Sequence, residues 1–382
     1  MTDLLSHCRA QTDAVVELLT TLVEHESFST AKSEVDQLVS YLEQHLATVG
    51  TPQITRIPQT RVGDCLLVKW NADLPTTPIL VLMHMDTVWQ VGTLAERPIR
   101  FSEDGLMFAP GVLDMKGGLA VAIHAVKVLH ERNEMPNRPI WFLFTSDEET
   151  GSVYAEPIIR ELASQVGLVL VMEPPTSEGA IKTARKGVAQ YLLTVKGRAA
   201  HAGNAPEEGI NAITEMAHQI IKISRLQNLQ QGVSVAANTL KAGFASNVIA
   251  DFATADIDVR TLTQYDMDQV HEALMSLYPM MPGAELEMHL DHMRPPMERN
   301  ATMQKTFNQA RALAQQLGMS LYEDSVGGGS DGNITGSMGI PTLDGLGARG
   351  TGLHALHEHV VIRSLGERVA HIASILRDWK FD

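Results

Sequence analysis

Ile79-Leu80-Val81-Leu82-Met83-His84-Met85-Asp86 opens with five apolar residues and turns at once to an imidazole and a carboxylate. A strand with one face in water would alternate apolar and polar residues. A continuous apolar run belongs inside a sheet covered on both faces. Similar runs stand at Leu66–Val68, Ile140–Phe144 and Leu168–Met172, with helical periodicity over 116–132 and 153–163 between them. The pattern predicts an α/β fold built on a mixed, largely parallel sheet flanked by helices. Upstream, Val15, Leu18, Leu19, Leu22 and Val23, and then Val35, Leu38, Val39, Leu42 and Leu46, recur at helical spacing and predict two amphipathic helices.

From Gly187 the pattern changes. Alternating strands are expected at 187–196, 233–241, 252–260 and 284–290, with helices near 209–225 and 264–278. That order is βαββαβ, a ferredoxin-like unit. After Arg294-Pro295-Pro296 the first style returns, with a helix near 301–317, a glycine cluster, a strand near 340–343 and a helix near 361–379. The expected organisation is a domain over 1–182 and 293–382, interrupted by an inserted domain over 183–292.

Composition narrows the function. Hydrophobic residues at 44% and charged residues at 20% match a folded globular chain. Against 45 acidic residues stand 30 Lys and Arg, a net charge of -15 that opposes binding to nucleic acid or anionic membranes. No apolar run approaches the roughly 20 residues of a membrane helix. Met1–Ala10 shows no basic start followed by an apolar stretch, so the cytoplasm is the expected compartment. Cys8 and Cys65 are the only cysteines, so any metal is expected on His and carboxylate ligands.

In open α/β sheets, ligands bind beyond the carboxyl ends of the strands. Here the first long run delivers His84 and Asp86, the next delivers Asp147-Glu148-Glu149, and the third delivers Glu173. Asp114 lies in a glycine-bounded turn before a helix, and His354, His357 and Glu358 follow the last short strand. Taken singly, each has an ordinary explanation: a surface histidine, a solvated acidic turn, a helix cap, a loop charge. Together, at one sheet edge, they suit a two-zinc centre without thiolates, the ions ~3.5–4 Å apart and activating a water. One carboxylate must then stay off the metal to move protons. Adjacent Glu148 and Glu149 offer that division.

The segments His84-Met85-Asp86-Thr87-Val88, Gly111-Val112-Leu113-Asp114-Met115-Lys116-Gly117-Gly118, Asp147-Glu148-Glu149-Thr150-Gly151-Ser152, Glu173-Pro174 and His201-Ala202-Gly203 resemble the aminoacylase and acetylornithine-deacetylase superfamily of metallopeptidases. The likeness spans essentially the whole chain and is nearest the glutamate carboxypeptidase branch. It implies two Zn2+ per chain, with Co2+ or Mn2+ as alternatives. Asp114 would bridge the ions, with His84 and Glu173 on one and Glu149 and His354 on the other. His354 is favoured over His357 and His359 because it stands four residues before Glu358. Glu148 becomes the general base, Asp86 holds the far ring nitrogen of His84, and the Asp114-Met115 peptide is cis. The resemblance also implies a homodimer paired through the inserted domain, in which His201 reaches the partner's site to stabilise the oxyanion. It places Asn247, Arg260 and Arg294 near the substrate.

The expected activity is hydrolysis of an amide or peptide bond to release a C-terminal amino acid, glutamate being favoured. A small peptide or folyl-glutamate is the expected substrate. An acyl amino acid deacylase or a dipeptidase is the alternative within hydrolases. A noncatalytic binding protein is the alternative outside them, and it sits poorly with a complete set of ligands and base.

Overall fold

The apolar runs become neighbouring strands because each is wanted on both faces. In the computed structural model, which describes residues 3–381, six strands lie in the spatial order Gln53–Ile57, Cys65–Trp70, Ile140–Thr145, Ile79–His84, Leu168–Val171 and Thr342–Leu343. The last four are parallel, and the first two are joined antiparallel at one side. Every residue of Ile79–His84, Ile140–Thr145 and Leu168–Val171 is buried.

Alternate residues feed two separate cores. Ile79, Val81, Met83, Ile140, Phe142 and Phe144 join the core under the helices Thr12–Glu24, Gly117–Glu131 and Ile362–Asp378. Leu80, Leu82, Trp141 and Leu143 pack on the other side with Ile159 and Leu162 of the helix Glu156–Ala163. Period-two geometry thus places apolar side chains on both faces. The register sets His84 opposite Thr145 and Leu82 opposite Val171, so the three strands end within two residues of one another.

Some elements differ from the expectation, for local reasons. Gln53–Ile57 is a half-exposed edge strand with no apolar run to reveal it. Gln11 divides the opening helix into Leu4–Ala10 and Thr12–Glu24. A small sheet of Gly350–Thr351, His359–Val361, Leu106–Phe108 and Arg100–Phe101 has strands too short to show a period. Among the described residues, no helix is long and apolar enough to cross a membrane.

The chain divides into two units. One contains the residues up to Thr183, Arg299–Ser325 and those from Ser330 onward; the other contains Ala184–Glu298 and Val326–Gly329. The second unit follows the order strand Gly187–Lys196, helix Ala212–Ser224, strands Ser234–Ala242 and Phe252–Thr261, helix Gln264–Met275, strand Glu285–Arg294. Its antiparallel sheet runs Ser234–Ala242, Phe252–Thr261, Gly187–Lys196, Glu285–Arg294. Tyr191, Leu193, Ile257 and Val259 from the strands meet Met216, Ile223, Met267 and Leu274 from the helices in one core.

Close backbone approach fixes the strand end that carries Glu173. A Cβ on Gly118 would lie 2.1 Å from the Met172 carbonyl oxygen, and one on Gly347 would lie 2.1 Å from the same atom. The helix Gly117–Glu131 reaches the sheet edge only because Gly118 has no side chain. Gly118→Ala gains about 1 kcal/mol in helix propensity. It also drives a methyl into a carbonyl that no rotamer change can move, so a net loss of about 1–3 kcal/mol is expected. Chemical denaturation reads this directly: the unfolding midpoint should fall, and an unchanged midpoint would mean that the helix can retreat freely.

Candidate metal centre

His84 closes the strand Ile79–His84, and its side chain is 2% exposed. Beyond Thr145, the single helical turn Glu148–Thr150 carries two carboxylates. Glu173 stands two residues past Leu168–Val171. Asp114 lies in the distorted turn Val112–Lys116, where its backbone leaves helical geometry before the helix Gly117–Glu131 begins. It therefore does not act as a simple cap. The Asp114-Met115 peptide is cis. His354 sits in the loop between Gly350–Thr351 and His359–Val361, with a left-handed backbone at φ 56°.

These segments bring their side chains together. Nε2 of His84 lies 3.2 Å from Asp114 Oδ1 and 3.4 Å from Glu173 Oε1. Nε2 of His354 lies 3.1 Å from Asp114 Oδ2 and 3.2 Å from Glu149 Oε2. Asp114 thus offers one oxygen to each imidazole. Donor atoms of His84, Glu148 and Glu173 fall within 4.8 Å of one another, as do those of His84, Asp114 and Glu149.

Asp86 organises this cluster in a way that spacing does not disclose. The Nδ1 of His84 lies 2.9 Å from the backbone carbonyl of Asp86 and 3.5 Å from its Oδ1. The carboxylate accepts hydrogen bonds from the backbone amides of Glu148 and Glu149, each at 3.2 Å, and from Ser29 Oγ at 2.7 Å. Asp86 therefore anchors the turn carrying both glutamates, while its main chain orients His84. Ser29 has no motif around it, and only folding brings it to this carboxylate.

His357 and His359 lie apart from this arrangement. His357 is exposed, and the ring of His359 packs on Phe108 with centroids 4.9 Å apart.

The electrostatics show what the cluster requires. Burial alone would depress the His84 pKa, but Asp114, Asp86 and Glu173 raise it well above the ordinary value. Asp114, then Glu149, push His354 upward. Burial opposes ionisation of Asp114, yet His354 and His84 hold it below the usual carboxylate range. Burial pushes Glu149 upward, and its Oε1 is buried without a hydrogen-bond partner. Protons on the imidazoles balance such a set in one way; divalent cations balance it with neutral imidazoles, the form that ligates metal. Nitrogen and oxygen donors without thiolate match zinc and related divalent ions.

Residues 80–378 match the model of Peptidase family M20/M25/M40. The chain belongs to this family. It is 30% identical over 372 residues to carboxypeptidase G2 of Pseudomonas sp. (strain RS-16), covering 96% of this chain and 89% of that protein. It is 28% identical over 293 residues to acetylornithine deacetylase of Proteus mirabilis, covering 70% and 73%. Among solved structures, aminopeptidase PepT from Bacillus cereus superposes with a TM-score of 0.78 at 23% identity, covering 96% of this chain and 98% of that one. Bacillus subtilis YxeP, described as a dinuclear metal binding peptidase of the M20 family, gives 0.68 at 17% identity, covering 97% and 99%. The protein is accordingly a hydrolase of the M20 metallopeptidase family, as the resemblance in its motifs implied.

Asp114 is the residue whose loss should matter most for metal, since its carboxylate offers one oxygen to each imidazole. Asp114→Ala, dialysed against zinc and then against buffer, is expected to lose both ions by elemental analysis where the parent chain keeps about two. Retention of two ions by the variant would remove Asp114 from the centre.

Proposed function

We propose that this chain is a dizinc carboxypeptidase that releases a C-terminal amino acid, glutamate by preference, from a small peptide or folyl-glutamate. The observation that carries the reading is the placement of Asp114 between two imidazoles, with carboxylates at the same sheet edge. Likeness to carboxypeptidase G2 over nearly the whole chain supports the carboxypeptidase part of the reading. In this reading Asp114 would be shared by both ions, His84 and Glu173 would help to hold one, and Glu149 and His354 the other. The zinc ions, when bound, polarise the scissile carbonyl and lower the pKa of a bound water to about 7. Co2+ or Mn2+ would suit the same donors.

Glu148 remains for proton transfer. Its backbone amide is tied to Asp86, which fixes where its carboxylate begins. It takes a proton from the attacking water and delivers it to the departing nitrogen.

On the second unit, His201 is exposed, and its Nδ1 accepts hydrogen bonds from the amides of Gly203 and Asn204 at 3.1 Å each. A neutral ring therefore carries its proton on Nε2, the form required to donate to an oxyanion. The Asn247 carbonyl accepts from the amide of Ala202 at 2.9 Å, so His201 and Asn247 sit on adjoining segments. Arg260 directs its guanidinium fork at Asp258, with bonds of 2.9 and 3.0 Å. The pair uses Nε and Nη2 of the fork, so a substrate carboxylate would meet Nη1 or exchange that partner. Arg294 is buried and is the second arginine assigned to substrate.

A homodimer through the second unit is part of this reading, with His201 donated to the partner's site. Leu240 on the edge strand Ser234–Ala242 is exposed, as are Ile213, Phe244 and Phe252, a set that pairing would cover. The proposed compartment is the cytoplasm, where the two buried free thiols, Cys8 and Cys65, stay reduced. Acetylornithine deacetylase among the relatives favours N-acyl amino acid hydrolysis as the second reading.

Three measurements test these assignments. Glutamate release from folyl- or peptidyl-glutamate should exceed hydrolysis of N-acyl amino acids and stop on chelation; the reverse preference would install the deacylase reading. Glu148→Gln should lower turnover by roughly 10²–10⁴-fold while keeping its zinc, and retained turnover would give the proton transfer to another group. His201→Ala should be slow alone and regain activity when mixed with Glu148→Gln; no recovery after demonstrated subunit exchange would confine each site to one chain.

A further inference from the structure

Glu358 is 1% exposed and meets four N–H donors. Oε1 accepts from the amides of Leu113 at 2.9 Å and Asp114 at 3.1 Å. Oε2 accepts from the amide of Gly111 at 2.9 Å and from the indole Nε1 of Trp89 at 2.8 Å. One carboxylate thereby gathers three segments: the turn that presents Asp114, the stretch that follows His84 and Asp86, and its own loop, which presents His354.

The loop is shaped to make this possible. Gly352 adopts φ 87°, and a Cβ there would lie 2.9 Å from the backbone N and Cα of Glu358. The amide of Ala355 bonds to the carbonyl of Gly352 at 2.9 Å, and the amide of Glu358 to that of Ala355 at 3.0 Å. His354 is half exposed, its side chain 51% accessible, so packing does little to hold it. Its position relative to Asp114 is set by the folded-back loop and by the carboxylate four residues on.

We propose that Glu358 is a positioning residue for the metal centre: it locks the Asp114 turn to the His354 loop and so sets the affinity for the ion held between Asp114, Glu149 and His354. The proposal rests on the dizinc reading above. Buried amide groups must find acceptors. A glutamate satisfies four donors with two oxygens, whereas an amide side chain of the same shape turns an NH2 toward donors it cannot accept. Groups behind a metal ligand typically alter metal affinity by 10–100-fold when removed.

The test is titration of metal-free protein with Zn2+ against a chromogenic chelator, and with Co2+ followed by its visible absorption, for the parent chain and Glu358→Gln. The parent should bind two ions. In the variant one ion should bind as before and the other roughly 10–100-fold more weakly. Its cobalt absorption should change, and kcat should fall with KM little altered. Two parent-like affinities with an unchanged cobalt spectrum would overturn the role of Glu358 while leaving the metal centre standing. A parent chain that binds neither metal would overturn both. Should Glu358→Gln fail to fold, Trp89→Phe removes one donor and keeps an aromatic ring, though a smaller one, at that position. The weaker ion should then lose affinity by a few-fold, on the order of threefold, and an unaltered affinity would count against the proposal.

Discussion

Like charges in a confined space are the constraint on which this structure turns. Asp114, Glu149 and Glu173 crowd two imidazoles at the edge of a buried sheet, with Glu148 beside them. Two carboxylates about 4 Å apart repel by roughly 4 kcal/mol at an effective dielectric of 20. Hydrophobic burial cannot assemble such a set, because its own groups favour separation and solvent. The scaffold must impose the arrangement from outside, and its elements show how.

The first device is the parallel sheet. Its strands are held by ladders and by cores on both faces, so the level at which they end is not adjustable. His84 sits at that level, and Glu148, Glu149 and Glu173 follow within a few residues of their strands. The second device is backbone amide. Asp86 accepts the amides of Glu148 and Glu149, and Glu358 accepts those of Gly111, Leu113 and Asp114. Both anchors are carboxylates that hold other carboxylates in place without touching them, by binding the chain on which they stand. The third device is absence of side chain: Gly118 and Gly347 let a helix and a loop close upon the Met172 carbonyl, which fixes the approach to Glu173.

How much of this the sequence discloses follows from the range of each interaction. A strand buried on both faces announces itself through an unbroken apolar run, and a residue just past its end is placed by the strand. His84, the Asp147–Glu149 turn and Glu173 were therefore readable, together with the α/β class. Asp114 stood out by its glycine-bounded turn, but its position between two histidines depends on a loop more than 200 residues later, and only resemblance to a family supplied it. The edge strand Gln53–Ile57 and the two- and three-residue strands of the small sheet carry no periodicity to read. Ser29 and Trp89 become partners of Asp86 and Glu358 through tertiary folding alone. Glu358 was visible as an interval from His354, while its work on a distant turn was not.

The residues assigned to metal and proton transfer, from His84 to Glu173 and again His354, all belong to the first unit, whereas His201, Asn247, Arg260 and Arg294 belong to the second. This partition gives physical form to a family that includes both a carboxypeptidase and a deacetylase among the relatives of this chain. Cleaving an amide makes one demand on the metal centre whatever flanks the bond, so the charge balance described above can stay fixed. The residues proposed for recognition stand in the other unit, where their exchange alters no ladder of the first. Arg260, proposed for the substrate carboxylate, illustrates this: its Nε and Nη2 are paired with Asp258 on the same strand. An arginine so paired is held in one orientation and keeps N–H groups of its fork beyond those given to Asp258. If Arg260 takes the substrate carboxylate as proposed, selectivity for that group is set on the strand Phe252–Thr261, apart from the residues proposed for hydrolysis.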